Sequence, residues 1–278
     1  MQRYSKNINF ALQINILFFF IMIDIFKSKE GELKARTTIE RRLKQIMINE
    51  GIEDPSSITK LTITGTMIND DFKFIHKKMF KTLEEVDLFN ATFESSKLKR
   101  GAFANCFALT AVTVPNWITE IGEKAFMNCK QLKSFTFPQT VTKIGELAFW
   151  NCNSLTSIII PDSVTELAFR AFNNCFGLTS VTLPNSLVKI GGSAFGNCSS
   201  LASIHIPDSV TEIGNGAFAH CTGLKTIKIP NTVTKIGDWV FEGCNVDIII
   251  DDDHPEYVFF DGRIMTRAAY QIRFGAGK

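Results

Sequence analysis

Residues 194–214 read Ala-Phe-Gly-Asn-Cys-Ser-Ser-Leu-Ala-Ser-Ile-His-Ile-Pro-Asp-Ser-Val-Thr-Glu-Ile-Gly, and this stretch decides the fold. It recurs with small changes every 23 residues from Ala102 to about Ile250. Self-similarity at a fixed period of this size predicts a solenoid, because one unit cannot bury its own apolar side chains and must stack on its neighbours. The period is marked by phenylalanine and cysteine, at Phe103, Phe126, Phe149, Phe172, Phe195, Phe218 and Phe241 and at Cys106, Cys129, Cys152, Cys175, Cys198, Cys221 and Cys244.

Each repeat contains a short strand that ends at a proline. In the repeat that begins at Leu155, Ile158 and Ile160 lie two residues apart, which predicts that both face inward. Pro161 lacks an N–H group and stops the strand from continuing. A second extended piece follows, and a tight turn then places a phenylalanine in the core. We expect one phenylalanine ring to stack on the next at about 4.8 Å, the spacing of paired strands.

The other repeated positions also have physical interpretations. The asparagine before most cysteines predicts a column of amides that caps backbone groups of the turn. A glycine follows the last isoleucine in most repeats, and Ala168 replaces it once, which indicates a need for a small residue rather than for positive φ. All seven cysteines lie in one column with parallel Cβ vectors, so we interpret them as buried free thiols rather than disulfides.

This combination of columns resembles the BspA-like leucine-rich repeat, a bacterial subclass with a 23-residue repeat. The resemblance covers a little over half of the chain. It implies a right-handed, curved solenoid with a parallel β-sheet on its concave side. It also implies an exported bacterial protein, secreted or at the cell surface, that binds other macromolecules in the manner of an adhesin.

The chain divides into five predicted segments. Outside the regular array we expect a helical cap at the N-terminal end and a β-hairpin cap at the C-terminal end, since an open solenoid end would face water or another chain. The boundaries are 1–26 for a signal peptide or anchor, 27–57 for the helical cap, 58–101 for degenerate first repeats, 102–250 for the array and 251–278 for the C-terminal cap.

The N-terminal segments carry two open questions. Arg3 and Lys6 precede a short apolar run that Asp24 ends, which is the outline of a secretory signal; an uncleaved anchor or a wrongly assigned start are the alternatives. Residues 32–50 have the pattern of an amphipathic helix with a basic face. That face would contact an anionic lipid or polymer, or it would be the solvated side of the cap.

At the other end, residues 257–265 predict a hairpin with Asp261-Gly262 as its turn. The acidic turn before it, which contains His254, is the one dense set of potential metal ligands in the sequence. It lacks the spacing of an EF-hand loop, so we interpret it as a solvated turn and leave open whether it binds a cation.

The sequence offers no sign of catalysis or of a cofactor. The four histidines lie far apart, no serine sits in a nucleophile elbow, and no glycine-rich loop would cradle a phosphate. The net charge of +2 gives no electrostatic reason to expect nucleic acid. We therefore predict a protein that is not an enzyme, has no metal or cofactor, and contacts a membrane only through its N-terminal segment.

The remaining candidate site is the outward face of the first strand of each repeat. Its side chains are mostly hydroxyls and almost uncharged. Concave solenoid faces are extended binding surfaces, although serine and threonine are also what any exposed strand tolerates. We name this face the strip, and its members are Ala111, Thr113, Ser134, Thr136, Ser157, Ile159, Ser180, Thr182, Ser203, His205, Thr226 and Lys228.

Three features of the strip bear on its ligand. Ile159, His205 and Lys228 interrupt its uniformity and suggest specific contacts, while Trp117, Trp150 and Trp239 near the turns are candidate aromatic anchors. The family resemblance favours a protein of a host, a neighbouring cell or the matrix as the ligand. Glycan binding through the hydroxyls and self-assembly into a structural layer are the alternatives.

Overall fold

A computed structural model describes residues 32–37, 43–260 and 263–274. The predicted signal segment, the turn at 261–262 and the tail at 275–278 lie outside these residues. The helices are α1 (Leu43–Asn49), α2 (Asn69–Lys78) and α3 (Arg267–Phe274), with a 3-10 turn at Pro55–Ser57. The strands are β1 (Glu32–Thr37), β2 (Lys60–Met67), β3 (Glu85–Asp87), β4 (Ala91–Phe93), β5 (Lys97–Leu98), β6 (Ala111–Thr113), β7 (Glu120–Ile121), β8 (Lys143–Ile144), β9 (Ser157–Ile159), β10 (Glu166–Leu167), β11 (Ser180–Thr182), β12 (Lys189–Ile190), β13 (Glu212–Ile213), β14 (Thr226–Ile229), β15 (Lys235–Ile236), β16 (Asp247–Ile250), β17 (Tyr257–Phe260) and β18 (Arg263–Thr266).

The repeats form a parallel-strand solenoid of about eight turns, which confirms the predicted fold. The first strand of each coil belongs to a ladder that runs β1, β2, β3, β6, with β4 beside the end of β2, and continues as the pairs β9–β11 and β14–β16. The second extended piece forms a seven-stranded ladder in the order β5, β7, β8, β10, β12, β13, β15. Pairings in the regular part join residues 23 apart, as with Glu166 and Lys189, except in the last coil, where Thr226 pairs with Asp247, 21 residues later.

The seven-stranded ladder, built from the second extended piece of each repeat, is the more continuous of the two. The sequence predicted the first strand of each repeat more clearly. The first ladder is interrupted at residues 134–136 and 203–205, which are not assigned as strands. In the earlier coil Phe135 and Phe137 occupy the inward positions that Ile and Val fill elsewhere. The Phe135 ring lies 4.8–5.0 Å from the rings of Phe137, Phe126 and Phe149. Two aromatic rings need more room than two aliphatic side chains, and we attribute this interruption to them.

The phenylalanine column lies in the centre of the core as predicted. Successive rings are stacked, with centroids 5.1–5.8 Å apart and ring planes 7–20° from parallel. This centroid spacing exceeds the expected spacing of paired strands, about 4.8 Å. From Phe103 to Phe218 the rings are fully buried, and only Phe241 at the C-terminal end is partly exposed.

The cysteines are free thiols, as predicted, and they have a role that the sequence did not reveal. From Cys129 onward each thiol donates to the carbonyl oxygen of the phenylalanine 26 residues earlier, at 3.1–3.3 Å. Burial raises the pKa of Cys175 to about 12, so its thiol keeps the proton that it donates. Cysteine therefore fills a small apolar space and also satisfies a carbonyl group of the preceding coil.

The asparagine column is explained mainly by the backbone. Asn105, Asn128, Asn151, Asn174 and Asn197 all have φ of 61–63°, the left-handed region that asparagine tolerates better than other residues with a Cβ. The amide ladder is real but short: Asn128 donates to Asn105 at 2.6 Å, and Asn151 donates to Asn128 at 2.7 Å. The glycine that follows the last isoleucine of most repeats lies close to the backbone of the preceding coil. A Cβ at Gly191 would lie 2.4 Å from the carbonyl oxygen of Leu167, which confirms that this position requires a small residue.

The N-terminal end differs from the prediction of one helix over residues 32–50. Residues 32–37 form β1, which pairs in parallel with β2 from Glu32–Lys60 to Thr37–Gly65. The open edge of the first sheet offers hydrogen-bond partners that outweigh helix propensity. Among the described residues of this range the helix is α1, whose backbone N–H at Leu43 donates to the buried Asp71 at 2.9 Å. Helix α2, which carries Asp71, lies inside the degenerate repeats and was not predicted.

The C-terminal end contains the predicted hairpin, in which β17 and β18 pair antiparallel. The two strands form a sheet of their own and do not extend the ladder of β16. The hairpin is attached to the last coil by Tyr257, whose hydroxyl donates to Thr234 O at 3.2 Å and accepts from Ile236 N at 3.0 Å. Helix α3, which the sequence did not predict, follows directly.

Candidate functional site

The strip forms as the alternation of each first strand predicts. All its predicted members are exposed, and Ile159 is the most apolar, with 67% of its surface accessible. The inward residues between them, such as Ile158, Val181 and Ile227, are buried. The pleat thus separates one apolar face, which packs on the phenylalanine column, from one polar face open to solvent.

Neighbouring coils place like side chains beside each other on the strip. Ser157 lies opposite Ser180, and Ile159 lies opposite Thr182, in the β9–β11 pair. Because adjacent parallel strands are about 4.8 Å apart, the hydroxyls form rows with the spacing of the coils. A ligand that spans several coils would meet the same chemistry repeatedly.

The hydroxyls of the strip are free to bind. Within the described residues, no side-chain hydrogen bond involves a strip serine or threonine. A different column of hydroxyls, after the prolines, is fully used by the fold: Ser163 donates to Val141 O at 2.5 Å, and Ser209 donates to Leu187 O at 2.6 Å. The contrast separates hydroxyls that hold coils together from hydroxyls that only face solvent.

The strip is charged at both of its ends, which the sequence prediction missed in part. At the N-terminal end Glu85 and Asp87 lie beside Ala111 and Thr113, and Glu85 pairs with Lys60 at 2.9 Å. These residues belong to degenerate repeats, where the pattern is too weak to extend the strip by sequence alone.

At the C-terminal end Lys228, one of the three residues that interrupt the uniformity of the strip, forms an ion pair within the chain. Its Nζ lies 2.9 Å from a carboxylate oxygen of Asp251, and that pairing raises the pKa of Lys228. Its neighbour on the next strand is Ile249, which is exposed and extends the strip by one coil. Ile159 and His205 therefore remain the distinctive members of the strip that make no ion pair within the described residues.

The three tryptophans separate into two groups. Trp117 packs on Phe93 with ring centroids 5.4 Å apart, and Trp150 donates from Nε1 to Asn173 at 3.1 Å. Both are half-buried and are used by the fold. Trp239 is 69% exposed, so of the three it stays a candidate for an aromatic anchor.

The acidic turn has a structural centre in His254, which is fully buried. Its Nδ1 accepts from the backbone N–H groups of Glu256 and Tyr257, and its Nε2 contacts Pro230 O, each at 3.2 Å. Both ring nitrogens are thus engaged with the backbone. Among the residues that the structure describes, no three His, Cys, Asp or Glu side chains come together as metal ligands.

A second surface feature was not predicted at all. Along the seven-stranded ladder the exposed positions alternate in charge from coil to coil. Lys97 and Lys143 flank Glu120 at 2.8 and 3.4 Å, and Lys189 and Lys235 flank Glu212 at 2.8 and 3.8 Å. These charges neutralise one another within the chain, which makes this face a weaker candidate for a ligand than the strip.

Within residues 32–37, 43–260 and 263–274 no helix has the length and apolar character needed to cross a bilayer.

The comparison with protein families agrees with the fold. The family model described as BspA type leucine rich repeat region matches residues 52–178 and 143–256, with 6 copies of the repeat. A leucine rich repeat protein of T. pallidum is 22% identical and has a TM-score of 0.48, with 78% of this chain and 82% of that chain covered. A leucine rich cell surface protein of Faecalibacterium prausnitzii is 24% identical with a TM-score of 0.41, over 73% and 66% of the two chains. No curated protein matches the chain.

Proposed function

This chain belongs to the BspA type leucine rich repeat family, and from that premise we propose that it is a binding protein whose ligand docks on the strip. The leucine-rich repeat fold is typically non-catalytic, which agrees with a binding role. The single observation that carries the proposal is the row of exposed hydroxyls that make no side-chain hydrogen bond to any residue that the structure describes.

The ligand that we propose is a protein rather than a small molecule. The strip is an open face, whereas small-molecule sites are concave pockets that enclose most of the ligand. Ile159 offers an exposed apolar contact near the centre of the strip, and His205 adds a polar one two coils later. Exposed apolar and ring-bearing side chains among small hydroxyls supply the anchors that protein interfaces use.

We further propose that the protein is exported and acts in adhesion at a bacterial cell surface. Support comes from the basic residues and apolar run before Asp24 and from the family to which the chain belongs. Buried free thiols are compatible with this location, because burial raises the pKa of each and hides it from oxidants. Sequencing the N-terminus of exported protein would test the location directly.

The binding test uses two strip variants and one matched control. Full-length protein is applied to a panel of immobilised matrix and cell-surface proteins and, in parallel, to a glycan array. We expect binding to a panel protein that Ile159→Arg and Thr182→Arg each weaken at least tenfold, because both place a long charged side chain in the contact. Val188→Arg, at an exposed residue off the strip, should bind like the wild type.

Equal binding by the wild type and both strip variants would remove the strip as the docking face. Binding to the glycan array alone would replace the protein ligand with the glycan alternative. The free energy of unfolding of each variant should lie within about 0.5 kcal/mol of the wild-type value, as is usual for exposed positions. A loss of binding then cannot be attributed to a loss of folding.

A further inference from the structure

A groove lies at the C-terminal end of the array, away from the strip. We name it the C-terminal groove; its volume is about 790 Å³, within the range of ligand-binding clefts. One wall is the last turn, from Ile236 to Glu242, and the other is formed by Ile248 and by Tyr257, Ile264 and Thr266 of the hairpin. None of these residues belongs to the strip.

The floor of the groove is the exposed end of the apolar core. Phe241 stacks on Phe218 at 5.8 Å on one side, and no ring among the side chains that the structure describes stacks on its other face. Ile236, Ile248 and Ile264 are also only partly buried. The hairpin therefore leaves part of the last coil open, and an apolar group of a ligand would complete its burial.

Trp239 stands on the rim of the groove in a conformation that favours glycine. Its φ is 54°, and the same slot in other coils holds Lys124, Leu147, Arg170, Ser193 and Gly216. No residue that the structure describes makes a ring contact or hydrogen bond with its indole, which is 69% exposed, whereas Trp117 and Trp150 both pack or donate within the array. An exposed indole face is the best aromatic platform for a cation.

The charge of the groove is negative. Asp238 and Glu242 on its rim are exposed, and neither forms a salt bridge within the part of the chain that the structure describes. The surrounding sequence has the same sign, since residues 201–274, which include the hairpin, contain ten Asp and Glu residues and six Lys and Arg residues. Such a field attracts a cationic partner and raises its association rate.

We propose that the C-terminal groove binds a segment of a partner protein in which Arg or Lys stands beside large apolar side chains. The apolar side chains cover Phe241 and the isoleucines, while the cation lies over Trp239 and pairs with Asp238 or Glu242. A neutral sugar would use the indole but leave both carboxylates without a countercharge. The proposal is independent of the strip and holds whether or not a ligand docks there.

The test titrates full-length protein with the peptide Leu-Arg-Phe-Arg-Leu, amidated and acetylated at its ends, and follows tryptophan fluorescence and calorimetry. We expect saturable binding that weakens as salt is raised from 50 to 300 mM. The neutral peptide with citrulline in place of arginine should bind at least tenfold more weakly. Asp238→Asn combined with Glu242→Gln should abolish this preference for arginine.

The matched variants are Trp239→Gly and Arg170→Gly, which relieve the same positive φ in two coils. Trp239→Gly should weaken peptide binding at least tenfold, and Arg170→Gly should leave it unchanged. The proposal would be overturned if neither peptide bound, if both peptides bound equally, or if Trp239→Gly bound the arginine peptide as well as the wild type does. It would also be overturned if the tryptophan fluorescence responded only to a neutral oligosaccharide. The strip variant Ile159→Arg should bind the peptide normally, so failure of one site does not imply failure of the other.

Discussion

Single residues hold the coils in register, and the phenylalanine column is the largest of these contributions. Phe172 is fully buried, with its ring 5.3 Å from Phe149 and 5.6 Å from Phe195. Phe172→Ala should lower the free energy of unfolding by about 3–5 kcal/mol, because it leaves a cavity that rigid neighbouring coils cannot fill. Urea unfolding measures this loss. Phe176→Ala, at an exposed position in the same coil, should cost well under half as much, and equal costs would contradict the column as the centre of the core.

The asparagine column allows backbone and amide effects to be measured separately. Asn128 and Asn174 share a φ near 62°, but only Asn128 takes part in the amide ladder. Asn174→Gly should be close to neutral, since glycine adopts positive φ without strain. Asn128→Gly should cost about 1–2 kcal/mol, because the amides of Asn105 and Asn151 lose a partner. If unfolding in urea shows equal effects, the amide ladder contributes nothing.

At the scale of elements, a buried histidine, His254, helps Tyr257 to attach the C-terminal hairpin to the last coils. The Nδ1 atom of neutral His254 accepts hydrogen bonds from the backbone N–H groups of Glu256 and Tyr257. The side chain of Arg267 donates to the carbonyl oxygen of His254. Desolvation lowers the pKa of His254 and the Arg267 guanidinium lowers it further. The hydrogen bond to the Pro230 carbonyl and the carboxylates of Glu256 and Asp251 oppose this only in part, so the pKa stays below its ordinary value. The folded form therefore resists protonation.

The pH dependence follows from that direction. Above about 6.5, the ordinary pKa of histidine, both folded and unfolded forms are neutral and the contribution of His254 is complete. As the pH falls below this value the unfolded form takes up a proton first, so stability is lost toward the lower pKa of the folded form. Proteolysis after residue 250 should accelerate between pH 7 and pH 5.5. His254→Gln should be cleaved faster at pH 7 with a weaker pH dependence, and a rate independent of pH in the wild type would contradict this role.

The elements also show which signals a sequence carries. The columns of Phe, Cys and Pro predicted the solenoid, because each repeats a packing requirement that only stacking can satisfy. Strand β1 was missed because its partner, β2, lies more than 20 residues away and its hydrogen bonds outweigh local propensity. The charge alternation of Lys97, Glu120 and Lys143 was visible in the sequence, but its meaning appears only when residues 23 apart are placed side by side.

For the whole molecule, the strip could be predicted from strand alternation alone, since a side chain between two inward residues must face outward. Its details could not. The ion pair between Lys228 and Asp251 joins the strip to a turn whose position depends on the whole C-terminal segment. The C-terminal groove also depends on that segment. Trp239 occupies a repeated turn position, and it lies on the rim of a groove because the array ends there and the hairpin forms the other wall.

The most direct test of the central claim, that the strip is the docking face, is hydroxyl-radical footprinting of the full chain with and without the panel protein that it binds. Ile159 and His205 report on the strip, while Phe169, Val188 and Phe176 are exposed reporters elsewhere. We predict that bound ligand protects Ile159 and His205 and leaves the other three as reactive as in the free protein. Unchanged labelling of Ile159 and His205, with protection at the other three, would contradict the claim.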